Sequence, residues 1–321
     1  MRSPRPGDAG AGAREERKTV LQIVQTALEL GFQYALVAMA LFLSYRVLDI
    51  ADLTTDGSFV LGAAVSVTLT AAGHPILAIP AAMAAGACAG FVTAFLQTRL
   101  GVPSILAGII TNTGLYTVNL MTMGWKSNAS LLRVSTVFTL LRDAGIGGAW
   151  YELLLSAAVT GLAGVLLWLF LGTRLGLSIR ATGDNRDMVR SSSVNPAFTV
   201  TVGLCFANAL TGLSGAVVGQ YQKTVDTNMG TGIVVIGLAC LIIGETVLGR
   251  GGMGRGILAV MAGSVIYRFL YAAVLNTKIV PIECLKLVTA MVVALAIAAP
   301  TIRAGAVFQK RRLAAGRKGG R

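Results

Sequence analysis

Residues 57–98 read GSFVLGAAVSVTLTAAGHPILAIPAAMAAGACAGFVTAFLQT, 42 residues without a Lys, Arg, Asp or Glu. A helix needs about 20 apolar residues to cross the hydrocarbon core of a bilayer. The run is long enough for two, and Gly73-His74-Pro75 divides it where a turn is favoured. Working outward, charge-free stretches recur at 30–45, 100–125, 153–173, 191–222, 227–244 and 287–302, and 256–276 carries a single charge, Arg268. No series of ten-residue segments alternates with period two, which excludes a transmembrane β-barrel. The expected fold class is an all-α polytopic membrane protein, with about eight transmembrane helices plus one broken or re-entrant segment.

Composition agrees. Of 321 residues, 55% are hydrophobic and 13% charged, and 39 are Gly. A soluble protein carries about 25% charged residues, so a disordered chain and a soluble enzyme are both excluded as descriptions of the whole. The first apolar stretch runs on without a small-residue cleavage site, so a cleaved signal peptide is not expected.

The net charge of +13 is concentrated at the two ends. Arg2, Arg5, Arg14, Arg17 and Lys18 precede the first apolar run, and seven Lys or Arg from Arg303 to Arg321 follow the last. Lys and Arg hold the flanks of spans in the cytoplasm. No basic stripe is interleaved with aromatics, so nucleic acid is not an expected partner. Residues 1–19 and 304–321 are expected as disordered basic tails around a membrane domain at 20–303. Arg174, Arg180, Arg186 and Arg190 put 172–197 in the cytoplasm, and Arg250 and Arg255 do the same for 249–256. Alternation then sets Arg99 inside and His74 and 125–150 outside. One crossing is left over. The polar stretch 49–58, DIADLTTDGS, is expected to absorb it as a broken or re-entrant element, so that both termini are cytoplasmic.

The candidate chemistry is sparse. Gly249, Gly251 and Gly254 have dinucleotide-fingerprint spacing, but no strand precedes them and they join two membrane helices, so a tight turn is expected. No phosphate-binding G-x-x-x-x-G-K-[ST] occurs. The chain has one His, and none of Cys88, Cys205, Cys240 and Cys284 has a C-x-x-C partner, so neither a metal site nor a cofactor is expected. Gly86/Gly90 and Gly215/Gly219 are small-xxx-small steps, expected to pack helices within the chain. Asp56 is either the N-cap of the helix that follows it or a residue of the substrate pathway beside unwound backbone, with Thr54, Thr55 and Ser58 lining the same break. Asn112, Asn119 and Asn208 are polar positions within apolar helices, either interhelical hydrogen-bonding groups or ligand contacts. Arg268 and Glu245 differ in depth by about 12 Å at the helical rise, too far for an easy pair. Arg268 is expected to snorkel past Tyr271 or to face a cavity.

The loop 171–196, LGTRLGLSIRATGDNRDMVRSSSVNP, is the most informative feature. It mixes charge with Met188 and Val189 and has a helix start near Gly183-Asp184-Asn185. A short helix there would present Met188 and Val189 side by side, with Arg186 and Arg190 one turn apart. The loop resembles a segment of the integral membrane permeases of ABC importers, the branch that includes branched-chain amino-acid and ribose permeases. Arg174, Gly176, Ala181, Gly183, Asn185 and Val194-Asn195 fit that pattern. Val189 stands where the family commonly has Ala, and Ser193 where it has Gly. The segments 31–38 and 53–59, and 232–256 with its ETVLGRGGMGRG end, resemble a sub-branch that includes proposed tryptophan or aromatic amino-acid importers.

This resemblance implies a permease subunit in a bacterial cytoplasmic membrane, with no ATPase site of its own, forming the pathway for a small solute such as an amino acid. It implies an ABC ATPase subunit, a second permease chain (a homodimer) and an extracytoplasmic solute-binding protein as partners, beside membrane lipid. It assigns ATPase coupling to Gly183, Asn185, Arg186, Met188, Val189 and Arg190. The alternative is a self-contained secondary transporter, which needs an ion-coupling site.

Overall fold

The structure is a computed structural model describing residues 8–276 apart from 133, 146 and 250, together with 287, 291 and 294; for 8–20, 149 and 276 it describes the backbone alone. The expected C-terminal tail, nearly all of the expected span 287–302, and Arg250, Lys278 and Cys284 lie outside the described residues.

Helix α1 (Asp8–Leu41) continues into a π-helical turn, Phe42–Val47. After a non-helical stretch come α2 (Thr55–Ala71), α3 (Pro75–Thr98) and α4 (Ser104–Thr122). Strand β1 (Asn128–Ser130) and α5 (Val137–Asp143) precede the long α6 (Tyr151–Gly172). Two short helices follow, α7 (Arg174–Asp184) and α8 (Arg186–Ser191). The chain then forms α9 (Pro196–Gln222), β2 (Thr224–Asp226), α10 (Ile233–Leu248) and α11 (Met253–Asn276). Five described helices are long and apolar enough to cross a membrane: Leu21–Val47, Pro75–Thr98, Tyr151–Gly172, Pro196–Gln222 and Met253–Leu275. The fold is that of a helical membrane protein. Among the described residues, β1 and β2 pair antiparallel in a small ribbon, Ala129 opposite Val225.

Helix α9 is the hub, packed between α2 and α3 and crossed by α1. Its apolar window is 78% buried, against 28% for α6, which therefore lies at the periphery. The close approach depends on small residues. A Cβ on Gly215 would strike the carbonyl of Phe59 in α2, and one on Gly86 the carbonyl of Asn208 in α9. Both small-xxx-small steps thus pack helices within the chain, where dispersion between close backbones replaces lost lipid contact.

Helices α1 and α9 run antiparallel. Tyr221, near the end of α9, donates its hydroxyl to Glu29 at 2.8 Å, and Ser214 donates to the Gln33 carbonyl at 2.8 Å. At the other end, Leu48 packs on Gly203 of α9 and on Gly183 of α7. The bundle therefore has one end formed by α7, α8 and the start of α9, and another formed by the ribbon and α5. At the ribbon end Gln220 accepts from Val137 N at 2.9 Å and donates to Ser66 and to the Pro75 carbonyl, each at 3.0 Å.

The structure bears on two expectations. The broken element does not turn back. After Leu48 the chain climbs through the break, and α2 continues alongside α9 as far as Ser66 and Gln220. The start of α1 and the α7–α8 segment therefore lie at opposite ends of the bundle, whereas the charge count put both at the cytoplasmic side. Charge alternation cannot separate a segment that re-enters from one that crosses with an unwound stretch, and a basic N-terminal flank by itself favours the cytoplasmic side. Residues 8–19, expected to be part of a disordered tail, have helical backbone. They are rich in Ala, Glu, Arg and Lys, all strong helix formers.

Candidate functional site

The break after α1 is built by wide turns. Leu48 N bonds to Leu43 O at 3.0 Å and Ile50 N to Ser44 O at 2.9 Å, spacings longer than those of an α-helix. Arg46, in the π turn, pairs with Glu245 near the end of α10 at 3.0 Å. Asp49 then takes φ +54°, a left-handed conformation that Asp tolerates better than most residues.

A buried polar cluster follows. Asp52, 3% exposed, accepts from Thr54 N at 2.9 Å and from Asn208 Nδ2 of α9 at 2.7 Å. Asn208 also donates to the Leu204 carbonyl at 3.0 Å and accepts from the Ser58 hydroxyl at 2.7 Å. Thr55 donates to the Asp52 carbonyl at 3.2 Å, and the Thr54 and Thr93 hydroxyls are 2.6 Å apart. Neither ion pair among the described residues involves Asp52. Its carboxylate is held by neutral donors alone, so each of them matters. Gly86 and Gly90 of α3 abut the carbonyls of Asn208 and Leu204, which brings α3 and its Thr93 against the cluster.

Asp56 faces the other way. It lies in the first turn of α2 and caps a different helix from the one expected. Its carboxylate accepts from Gly232 N at 3.1 Å and Val234 N at 2.9 Å, at the start of α10, while the N-cap of α2, Thr54, makes no side-chain bond to its own helix. The unsatisfied N–H groups of α10 and their positive dipole end attract the carboxylate. Asp56 and Asn112 also line a cleft of about 240 Å³, with Tyr116, Asn119, Asn228 and Thr231 among its other walls. Asn119 donates to the Gly57 carbonyl at 3.3 Å, and its Oδ1 is buried without a partner.

The six expected pathway residues thus divide. Thr54, Thr55, Ser58 and Asn208 join the closed cluster around Asp52; Asp56 and Asn112 face the cleft. Asp52, Thr93, Tyr116 and Asn228 were missed. The one available signal was the D-x-x-T-D spacing of 52–56, with two acids beside a long apolar run.

At the α7–α8 end, Asn185 caps α8 by accepting from Asp187 N at 3.1 Å and Met188 N at 3.0 Å, where the sequence placed a helix start. Met188 is 67% exposed, and Arg186 and Arg190 are exposed beside it. Val189 is 5% exposed, so the expectation that it joins Met188 on the open face is corrected. Adjacent helical positions point about 100° apart, which lets one face the bundle while the other faces out. Ser193 holds φ +61°, which accounts physically for the Gly usual there in the resembling family. Gly183 lies against the Val47 carbonyl and is close to Leu48, and Thr182 meets Thr199 of α9 at 2.8 Å. The α7–α8 segment is therefore seated directly on the residues that lead into the break.

The described residues thus form a helical membrane bundle with an unwound polar element and two short helices, α7 and α8, packed on one end. Residues 23–299 match the family described as the permease component of branched-chain amino acid transport systems, and the chain belongs to that family. It is 33% identical over 260 residues to a tyrosine transport system permease protein of Clostridioides difficile, covering 81% of this chain and 85% of that one. It is 30% identical over 278 residues to an uncharacterised protein of Rickettsia prowazekii, covering 85% and 95%. No solved structure matches. The chain is a permease subunit of an ABC transport system.

Proposed function

We propose that this permease carries an amino acid with an aromatic side chain into a bacterial cell, driven by an ATPase subunit that docks on α7 and α8. The name of the Clostridioides relative supports the substrate class. The observation that carries the coupling is the seating of Gly183 on Val47 and Leu48. Movement of α7 displaces the break, and with it the Asp52 cluster and the wall of the Asp56 cleft. Asn185 and Arg186 set the start of the docking helix, Met188 supplies its apolar contact, Arg190 tunes association, and Val189 anchors the helix to the bundle.

In this reading the α7–α8 end faces the cytoplasm, since Arg174, Arg180, Arg186 and Arg190 cluster there. The chain crosses as about eight helices plus the broken 49–71 element, which traverses and so sets the start of α1 outside. Two copies form the pathway, an extracytoplasmic solute-binding protein delivers the ligand to the ribbon end, and the cleft residues Asp56, Asn112, Tyr116 and Asn119 contact it on passage. The test is uptake of labelled tyrosine into proteoliposomes holding the permease, its ATPase and its binding protein. ATP-dependent uptake of tyrosine ahead of leucine supports the proposal. Uptake driven by an ion gradient without the ATPase would favour the secondary-transporter alternative.

A further inference from the structure

Arg268 carries a charge that no carboxylate among the described residues pairs with. It lies in the second half of α11 and is 9% exposed, and its Nε has no hydrogen-bond partner. The two ion pairs among the described residues are Arg46–Glu245 and Arg142–Asp143. Glu29, a neighbouring acid on α1, is turned to Tyr221 and Gln25. The guanidinium carbon lies 3.7 Å from the Tyr34 ring centre and 5.7 Å from that of Tyr271. Cation–π contact offsets part of the cost of burial but leaves Nε without a partner among the described residues. A buried cation in a membrane helix with no carboxylate partner among the described residues is costly and marks a site.

Arg268 lines a groove of about 390 Å³ between α1 and α11. Gln22, Thr26 and Tyr271 add polar atoms, while Ile23, Leu30 and Leu275 make apolar walls. Its depth follows from Glu29, next to Leu30, which bonds Tyr221 close to where α9 ends. The groove therefore lies toward the ribbon end of the bundle, at the level where a membrane-spanning chain meets headgroups. We infer that it binds the headgroup of an acidic phospholipid in the leaflet away from α7–α8, with the phosphate on Arg268 and the glycerol and upper acyl carbons against the apolar walls. The guanidinium fork matches phosphate oxygens bidentately. An amphiphile fits apolar walls around a single cation; a fully hydrated anion does not. This site is independent of the transport pathway proposed above.

Native mass spectrometry of the purified full chain tests it, with phosphatidylglycerol and phosphatidylcholine as probes. The wild type is expected to retain phosphatidylglycerol with a preference of about tenfold or more, the size of one charge-assisted hydrogen bond. Arg268→Gln should abolish the preference and Arg268→Lys keep part of it. Thr26→Phe, which fills the groove and spares the charge, should also release the lipid, separating occupancy from folding. Equal retention of both lipids by the wild type, an unchanged preference in Arg268→Gln, or displacement of phosphatidylglycerol by millimolar inorganic phosphate would each overturn the inference.

Discussion

Asp52 and Asn208 stand 156 residues apart in the chain and are joined by a hydrogen bond of 2.7 Å. The bond closes the unwound segment onto α9, the most buried of the five long apolar helices described. Asn208 satisfies three partners at once, so the cluster forms in full or not at all.

The first prediction concerns that bond. Asn208→Ala leaves a buried carboxylate oxygen without its donor, which costs roughly 1–3 kcal/mol or more. Exchanging the two groups, Asp52→Asn with Asn208→Asp, keeps a donor facing an acceptor. Thermal unfolding in detergent should show the exchanged double variant closer to wild type than Asn208→Ala. Equal losses would mean that the bond contributes nothing specific.

Asp56 caps α10 across the fold. Asp56→Ala should lower stability by about 0.5–2 kcal/mol, the usual worth of a cap. Asp56→Asn retains an acceptor for one of the two N–H groups and should lose less. If the carboxylate also meets substrate in the cleft, uptake by Asp56→Asn falls by about tenfold while protein level holds. Normal uptake at normal stability would reduce Asp56 to a cap.

Gly183→Val places side-chain atoms where the Val47 carbonyl lies. Overpacking of this kind costs about 1–3 kcal/mol. The expected result is an inserted protein whose ATPase still binds but whose hydrolysis no longer follows substrate. Full coupling in this variant would show that the contact does not transmit.

Topology can be read with thiol reagents in a cysteine-free background. Leu21→Cys should label from outside sealed cells and Met188→Cys only after permeabilisation. Labelling of both from one side would contradict the opposite-ends arrangement, and the reverse pattern would contradict the cytoplasmic placement of α7 and α8.

The helices were legible because the charge-free runs are long and the bilayer length scale is fixed. Asn185 was legible too, because a capping residue acts within three residues of itself. Less local facts were not. Val189 and Met188 are neighbours of equal promise in sequence, and only the packing of α8 on the bundle separates them. Asp52 looked no different from Asp49, since its partners come from α9. Asp56 is expected to cap the helix that follows it, but the helix it caps begins at Ile233, and nothing in residues 56–60 points there. The opposite ends of α1's start and α7–α8 are not legible because a crossing that unwinds has the same charge signature as one that turns back.

The central claim is that energy reaches the break through α7 and α8, and Met188→Asp tests it most directly. Met188 is the exposed apolar residue of α8, so the substitution leaves the bundle intact and spoils only a docking surface. In proteoliposomes with the cognate ATPase and binding protein, the measurement is substrate-stimulated ATP hydrolysis alongside uptake. Both should fall together, with the ATPase released from the membrane. Wild-type hydrolysis and uptake in a correctly inserted Met188→Asp protein would contradict the account.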